Sequence, residues 1–440
     1  MKKNILLVLC YIFPAVTFAQ TADTLTGNLT LQQCIDYALR NQPGVKQAAI
    51  DEAINERDIR IGLSGWLPQV NGTGTVQHYF KGGPVAGAAN IPGGASNDIR
   101  NLSTLGVQAT QTIYNNDVFL AARTARYSRQ YYRQNAQLNR IDVVSEVSKA
   151  FYDVLLSQRQ LNITNEDITR LQRSLKDAKS RYEAGITDKI DFKQATIALN
   201  NATVMRKQTT EAIKAREAYL KQIMGLQAKT TLNLAYDSTR YVAEAVIDTN
   251  QILDVSKRIE YQQLVTQKSL QSINVSYYKW GFLPSLSAVG AYNLIYANRN
   301  LSDLYTNTFP NGYVGLQMNI PIFQGTRRLQ NIRKARLQEE RVDQDIINVK
   351  NVINTEYVQA LASYKSNYTA WVLTSENVEL AKDVFNVVSL QYREGIKVYL
   401  DVIVAQTDLR TAQLNYYNAL FQLLSSKIDL QRATGAITIQ

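Results

Sequence analysis

Histidine is nearly missing from this chain: His78 is the only one in 440 residues. Most imidazole-based triads, zinc sites and proton shuttles are excluded by that count. Cysteine is almost as scarce. Cys10 falls in an N-terminal stretch that reads as an export signal, with Lys2 and Lys3 followed by a mostly apolar Ile5–Phe18 and a Thr17-Phe18-Ala19 cleavage pattern. Cleavage is expected after Ala19, and the apolar stretch is too short for a spanning helix. Cys10 is not read as a lipid anchor, because Leu9 precedes it and the apolar run continues past it. Cys34 is then left alone, so neither an intramolecular disulfide nor a cysteine-rich metal site can form.

Other absences narrow the class further. Neither G-x-x-x-x-G-K-[ST] nor G-x-G-x-x-G occurs, which removes the common phosphate and dinucleotide cradles. The carboxylates follow helical spacing rather than clustering, so no enzyme, metal site or cofactor is expected. Net charge is +11, and 11 − 2 = 9 remains without Lys2 and Lys3. These cations are interleaved with Glu, Asp and Gln, the pattern of a solvated helix face, and nucleic acid is not an expected partner. No later stretch approaches the ~18 apolar residues of a transmembrane helix.

Glycine and proline are absent in blocks, and the blocks locate the structure. Neither occurs from Val107 to Ala184, Ile186 to Met224, Thr326 to Glu394 or Ile396 to Thr434. Helices of this length far exceed the average of about 11 to 12 residues. A helix over Asp117–Tyr182 spans about 100 Å, and the one after Gly185 about 55 to 60 Å. One helix is expected from Leu31 to Gly65 and one from Leu253 to Lys279, each stacking end to end with the helix after its half's hairpin, so that two shorter helices match one long column. Ala405, Leu409, Ala412, Tyr416, Ala419, Leu423, Ser426 and Leu430 form an apolar stripe at heptad spacing. Coiled-coil columns and an ordinary helix bundle both carry such a stripe.

Between the helices lie alternating segments, expected as strands at about 66–80, 102–115, 284–296 and 312–323. Asn71, Thr73 and Thr75 oppose Val70 and Val76, while Val314, Leu316, Met318, Ile320 and Ile322 oppose Gln317 and Asn319. Lipid-facing strands look like this, and so do edge strands of a soluble sandwich. Turn-rich loops at 81–98 and 297–312 join the pairs.

The chain is duplicated. "RYEAGITDKIDFKQA" from Arg181 and "QYREGIKVYLDVIVA" from Gln391 share Tyr, Gly, Ile, Asp and Ala at matching places. "GWLPQV" at Gly65 matches "GFLPSL" at Gly281, and Gly225 matches Gly435. The expected organisation is a leader at 1–19, a first helix-strand-strand-helix-helix repeat at 20–225, a linker at 226–250 with short strands, and a second repeat at 251–440. Four membrane strands cannot satisfy their backbone groups, because a barrel needs about eight or more. Oligomerisation is therefore expected, and three copies supply twelve strands.

The sequence resembles the TolC-type outer-membrane efflux proteins through "LTLQQCIDYALRNQPGVKQA", "GWLPQV", "GFLPSL", "IPIFQGTRR" and the paired glycine-centred turns. The resemblance implies a mainly α fold with membrane β. It implies a homotrimer with an α-barrel and a shared 12-stranded β-barrel in the lipid of the cell outer membrane, extending into the periplasm. It further implies a passive exit duct for small molecules, served by a periplasmic adaptor protein and an inner-membrane pump. A duct for type I protein secretion and a periplasmic coiled-coil scaffold are the alternatives. The hairpins alone read as glycine-terminated helical turns with well-placed acids. The resemblance adds adaptor docking at tips Tyr182, Gly185, Ile186, Thr187, Gly395 and Ile396. It also implies an aperture at Asp191, Tyr392, Lys397, Asp401 and Val404, in which Asp191 joins Tyr392 and Lys397. Lys397 stands where relatives carry Arg and lacks its bidentate fork. Val404 replaces an acid, so the constriction is expected to be less acidic than in relatives.

Overall fold

The computed structural model describes residues 28–81, 99–186, 188–236, 238–249 and 252–437. The expected leader, most of the 81–98 loop and Thr187 lie outside them. The chain opens with β1 (Asn28–Leu29) and α1 (Leu31–Asn41), the latter started by a capping box between Thr30 and Gln33. α2 (Pro43–Ser64) follows directly. The single helix expected over Leu31–Gly65 is thus broken at Gln42, whose extended backbone (φ −63°, ψ 127°) is what a following proline imposes. Gln42 ends α1 through its N–H to Ala38 O and starts α2 by accepting from Val45 N at 2.8 Å.

Then come β2 (Gln69–His78), β3 (Asn101–Tyr114), α3 (Asn116–Glu183) and α4 (Lys189–Met224). The linker holds β4 (Asn233–Leu234), parallel to β1, and α5 (Ser238–Ala245), a helix that the sequence reading does not anticipate. The second repeat brings α6 (Ile259–Trp280), β5 (Ser285–Asn298), β6 (Thr308–Asn319), α7 (Arg327–Arg393) and α8 (Tyr399–Thr434). α6 starts later than the expected Leu253. Asp254 there caps a short 3-10 turn, and Arg258 is extended at φ −73°, ψ 126°.

Gln42 and Arg258 are counterparts in the duplication, and so are the glycines they meet. Gly225 and Gly435 end α4 and α8 at φ 73° and 71°, in the left-handed region that side chains resist. A Cβ on Gly225 would lie 2.7 Å from Asn41 O, and one on Gly435 3.2 Å from Lys257 O. Arg258 is buried, and its guanidinium donates to Glu260, to Glu356 at 2.8 Å and to the Ala433 carbonyl at 3.1 Å.

α3 and α7 are columns of 68 and 67 residues, and α4 and α8 are both 36. At the hairpin end the four helices lie side by side in the order α4, α3, α8, α7. At the sheet end α2 and α6 replace α4 and α8, giving α2, α3, α6, α7. The main core sits between these ends, where Cys34, Val147, Phe151, Met224, Leu423 and Leu424 pack together. Small and large side chains alternate on the α8 stripe, and Ala405, Leu409, Ala419, Leu423, Ser426 and Leu430 are all buried.

The four long strands form one antiparallel sheet ordered β2-β3-β5-β6. Its register sorts the side chains. Val70, Val76, Leu105, Val107, Tyr292, Leu294, Val314, Leu316 and Met318 share one face. Asn71, Thr73, Thr75, Gln108, Thr110, Asn293, Asn311 and Gln317 share the other, with Leu102, Ile295 and Phe309 at its loop end. β6 stops at Asn319, so Ile320 and Ile322 fall beyond the ladder, and it starts four residues before the expected 312. Within one chain the sheet is open, with β2 and β6 as free edges.

Candidate aperture at the paired hairpins

Each long helix ends in the same way. Gly185 and Gly395 adopt φ 71° and 79°, and the following N–H groups reach back, Ile186 to Arg181 O at 2.9 Å and Ile396 to Gln391 O at 2.8 Å. This Schellman geometry turns the chain without leaving the last carbonyls unpaired. A Cβ on either glycine would meet open space, so the backbone angle alone calls for glycine there. The tips carry apolar side chains into solvent: Ile186, Ile396 and Val398 are 70%, 72% and 63% exposed. Tyr182 is also exposed, and Thr187 lies outside the described residues.

Just above the tips, the two hairpins meet in a small core of Ala178, Ala195, Tyr399 and Val402, with Phe385 and Tyr392 packed against it. Ala178 and Ala195 have no exposed surface, which lets α3 and α4 close around the Tyr399 ring. Burial pushes the Tyr399 phenol up to about 12. Asp191 lies in the first turn of α4, and burial raises its carboxyl, with repulsion from Asp188 adding to the effect. Burial likewise raises the Tyr392 phenol; Arg181 opposes this, while Asp191 and Asp177 reinforce it.

The structure brings Asp191 and Tyr392 to one place, yet the Tyr392 hydroxyl has no hydrogen-bond partner among the described residues. Lys397 turns instead to Asp401, one helical turn on in its own hairpin, at 3.6 Å. Val404 is exposed on α8. The cation that does reach Tyr392 is one the sequence reading passes over. Arg181 lies over the ring, its Cζ 4.7 Å from the centroid. Its only signal is a difference between the repeats, Arg181 standing where the second half has Gln391.

A second polar contact joins the hairpins farther up. Asp167 on α3 is buried and accepts from Gln406 Nε2 at 2.7 Å and Arg410 Nη1 at 3.2 Å, both on α8. This group lies about 27 Å from the Gly185 turn, counting 18 residues at ~1.5 Å each. Ion pairs of this kind contribute little net stability; here the contact joins one height on α3 to one height on α8.

The outermost helices keep apolar residues in solvent. Ile190, Ile197 and Val204 on α4 are spaced by seven, and so are Leu373, Leu380 and Val387 on α7. At the sheet end, α2 exposes Ile50, Ile54 and Ile61, and α7 exposes Leu329 and Leu337.

Known proteins resemble this chain throughout its length. The family model described as outer membrane efflux protein matches residues 34–226 and 262–436, one span in each repeat. The outer membrane protein TolC of Vibrio cholerae is 22% identical over 352 residues, covering 77% of this chain and 78% of the relative. The outer membrane efflux protein BepC of Brucella suis is 21% identical over 453 aligned positions, covering 98% and 91%. Among solved structures, the outer membrane protein VceC of Vibrio cholerae superposes with a TM-score of 0.72 at 15% identity, covering 92% of this chain and 96% of that one. The family match takes in both halves of the duplication, and the open sheet carries one apolar and one polar face. The chain belongs to the outer membrane efflux protein family and is a protein of the cell outer membrane.

Proposed function

We propose that three copies of this chain form a passive exit duct for small molecules, closed at the hairpin end until a periplasmic adaptor engages it. The observation that carries the proposal is the sheet. Four strands with an apolar and a polar face and two free edges leave ladder groups unpaired, which lipid does not tolerate. Three copies joined β6 to β2 supply twelve strands, above the minimum of about eight for a barrel. The helical edges support the same ring. Around the hairpin turns, the α4 and α7 stripes stand at heights matching to within about one turn, so α7 of one copy fits α4 of the next.

In this reading Asp191, Tyr392, Lys397, Asp401 and Val404 line or brace the periplasmic aperture. The exposed tips Tyr182, Gly185, Ile186, Gly395 and Ile396, together with Thr187 by its place in the sequence, receive the helical ends of the adaptor. An inner-membrane pump supplies the energy, and the duct itself holds no reacting group. Efflux is preferred to protein secretion because relatives such as BepC are efflux proteins.

Reconstituted protein tests the proposal. A heat-sensitive trimer extracted only with detergent is expected, together with a small single-channel conductance in planar bilayers. Deletion is expected to raise sensitivity to small toxic compounds. A monomer soluble without detergent overturns the duct, and loss of a secreted protein with unchanged sensitivity overturns the efflux assignment.

A further inference from the structure

We propose that Arg181 is the positioning residue that clasps the two hairpins of one protomer, acting through the face of the Tyr392 ring. The inference rests on the aperture reading above and deepens it by naming what holds the hairpins together.

Three layers make the clasp. Arg181, in the last turn of α3, lies over Tyr392 with Cζ 4.7 Å from the ring centroid. Tyr392, in the last turn of α7, packs against Tyr399 in the first turn of α8, with centroids 5.7 Å apart. Tyr399 is 1% exposed and anchored in the core that includes Ala178 and Ala195 of the first hairpin. Arg181 Nη2 also donates to the Arg393 carbonyl at 3.4 Å, a long contact onto the free end of α7. The guanidinium therefore meets both a π face and the negative end of a helix, two environments that favour a planar cation.

The duplication argues that this arrangement is specific to one place. Arg181, Tyr182 and Lys189 of the first hairpin correspond to Gln391, Tyr392 and Tyr399 of the second. Only the first hairpin has the cation, and only the second has the two stacked rings. The clasp can form once per protomer, between unlike hairpins. The Tyr392 hydroxyl takes no part, since it has no hydrogen-bond partner among the described residues. Lys397 takes no part either, being paired with Asp401.

Single-channel recording on the full-length protein separates the ring face from the hydroxyl. Arg181→Ala and Tyr392→Leu are each expected to raise open-state occupancy by about two- to thirtyfold, the range that a cation–π contact is worth. Their combination adds little beyond either one, because both remove the same contact. Tyr392→Phe, which keeps the face, raises occupancy less than Tyr392→Leu. A Phe variant that opens as widely as the Leu variant overturns the proposal, and so does a silent Arg181→Ala. An intact heat-sensitive trimer band shows that each variant has folded, and a change in occupancy only in misassembled protein also counts against the clasp. The aperture reading is tested apart from it, by labelling Val404→Cys with a bulky maleimide. Reduced current supports an aperture there whatever Arg181 does, and unchanged current overturns that reading.

Discussion

Cys34 sits on α1 with no exposed surface, in the core between the sheet and the hairpins. Burial pushes its thiol up to about 12. At pH 8 only about one molecule in ten thousand then carries the reactive thiolate. Protein lacking residues 1–19, and with them Cys10, is expected to resist a thiol reagent at pH 8 while folded, with one equivalent reacting after denaturation; reaction of the folded protein would refute this placement. The sign for stability follows from the raised value. The neutral thiol costs nothing below the ordinary cysteine range near 9, and stability falls as pH rises from there toward 12. The family resemblance points to Asp191 and Tyr392, and both lie in the hairpins that the repeat marks. Neither discloses the partners. Lys397 finds Asp401 through the i,i+4 geometry of its own helix, and Arg181 finds Tyr392 across two chain reversals.

At the scale of elements, the four turn glycines have one conformation and two kinds of surroundings. Gly185→Ala meets open space and bears only the left-handed backbone strain, about 1 to 2 kcal/mol. Gly225→Ala adds a collision with the Asn41 carbonyl, which is backbone and cannot rotate away. An overpacking penalty of roughly 1 to 3 kcal/mol comes on top. The proposed trimer of Gly225→Ala is therefore expected to dissociate at a clearly lower temperature than that of Gly185→Ala, as followed by heat-dependent gel mobility. Equal melting of the two variants would refute the close approach. The long helices are legible because nothing in 60 or more residues interrupts them. The break at Pro43 is legible as well, because proline lacks the N–H and crowds the preceding turn, and the single helix expected over Leu31–Gly65 passes over that signal. α5 is eight residues long and leaves too short a periodic pattern to detect.

For the whole molecule, the proposed ring makes a reciprocal demand on two surfaces, one on α4 and one on α7. Ile197 on α4 and Leu380 on α7 are both more than half exposed in one protomer. Ile197→Lys or Leu380→Glu alone is expected to weaken the trimer, because each buries an unpaired charge at a neighbour's apolar stripe. The two together restore part of it by pairing across the joint. Cross-linking of the purified protein reads this directly, and additive damage in the double variant would remove the α4–α7 joint. Neither surface is legible as an interface from sequence, where an exposed and a buried heptad look alike. The sheet is different, since four strands read as membrane strands are too few to close a barrel and so call for further copies.

The equal arms carry one more consequence. With α4 and α8 both 36 residues and α3 and α7 within one residue of each other, the two hairpins end level, and their contacts at Arg181 and Asp167 work as a vernier between them. An insertion in one arm slides every mark on that scale. The reach of the protein can therefore change only in whole heptads added to all four arms at once, in steps of about 10 Å.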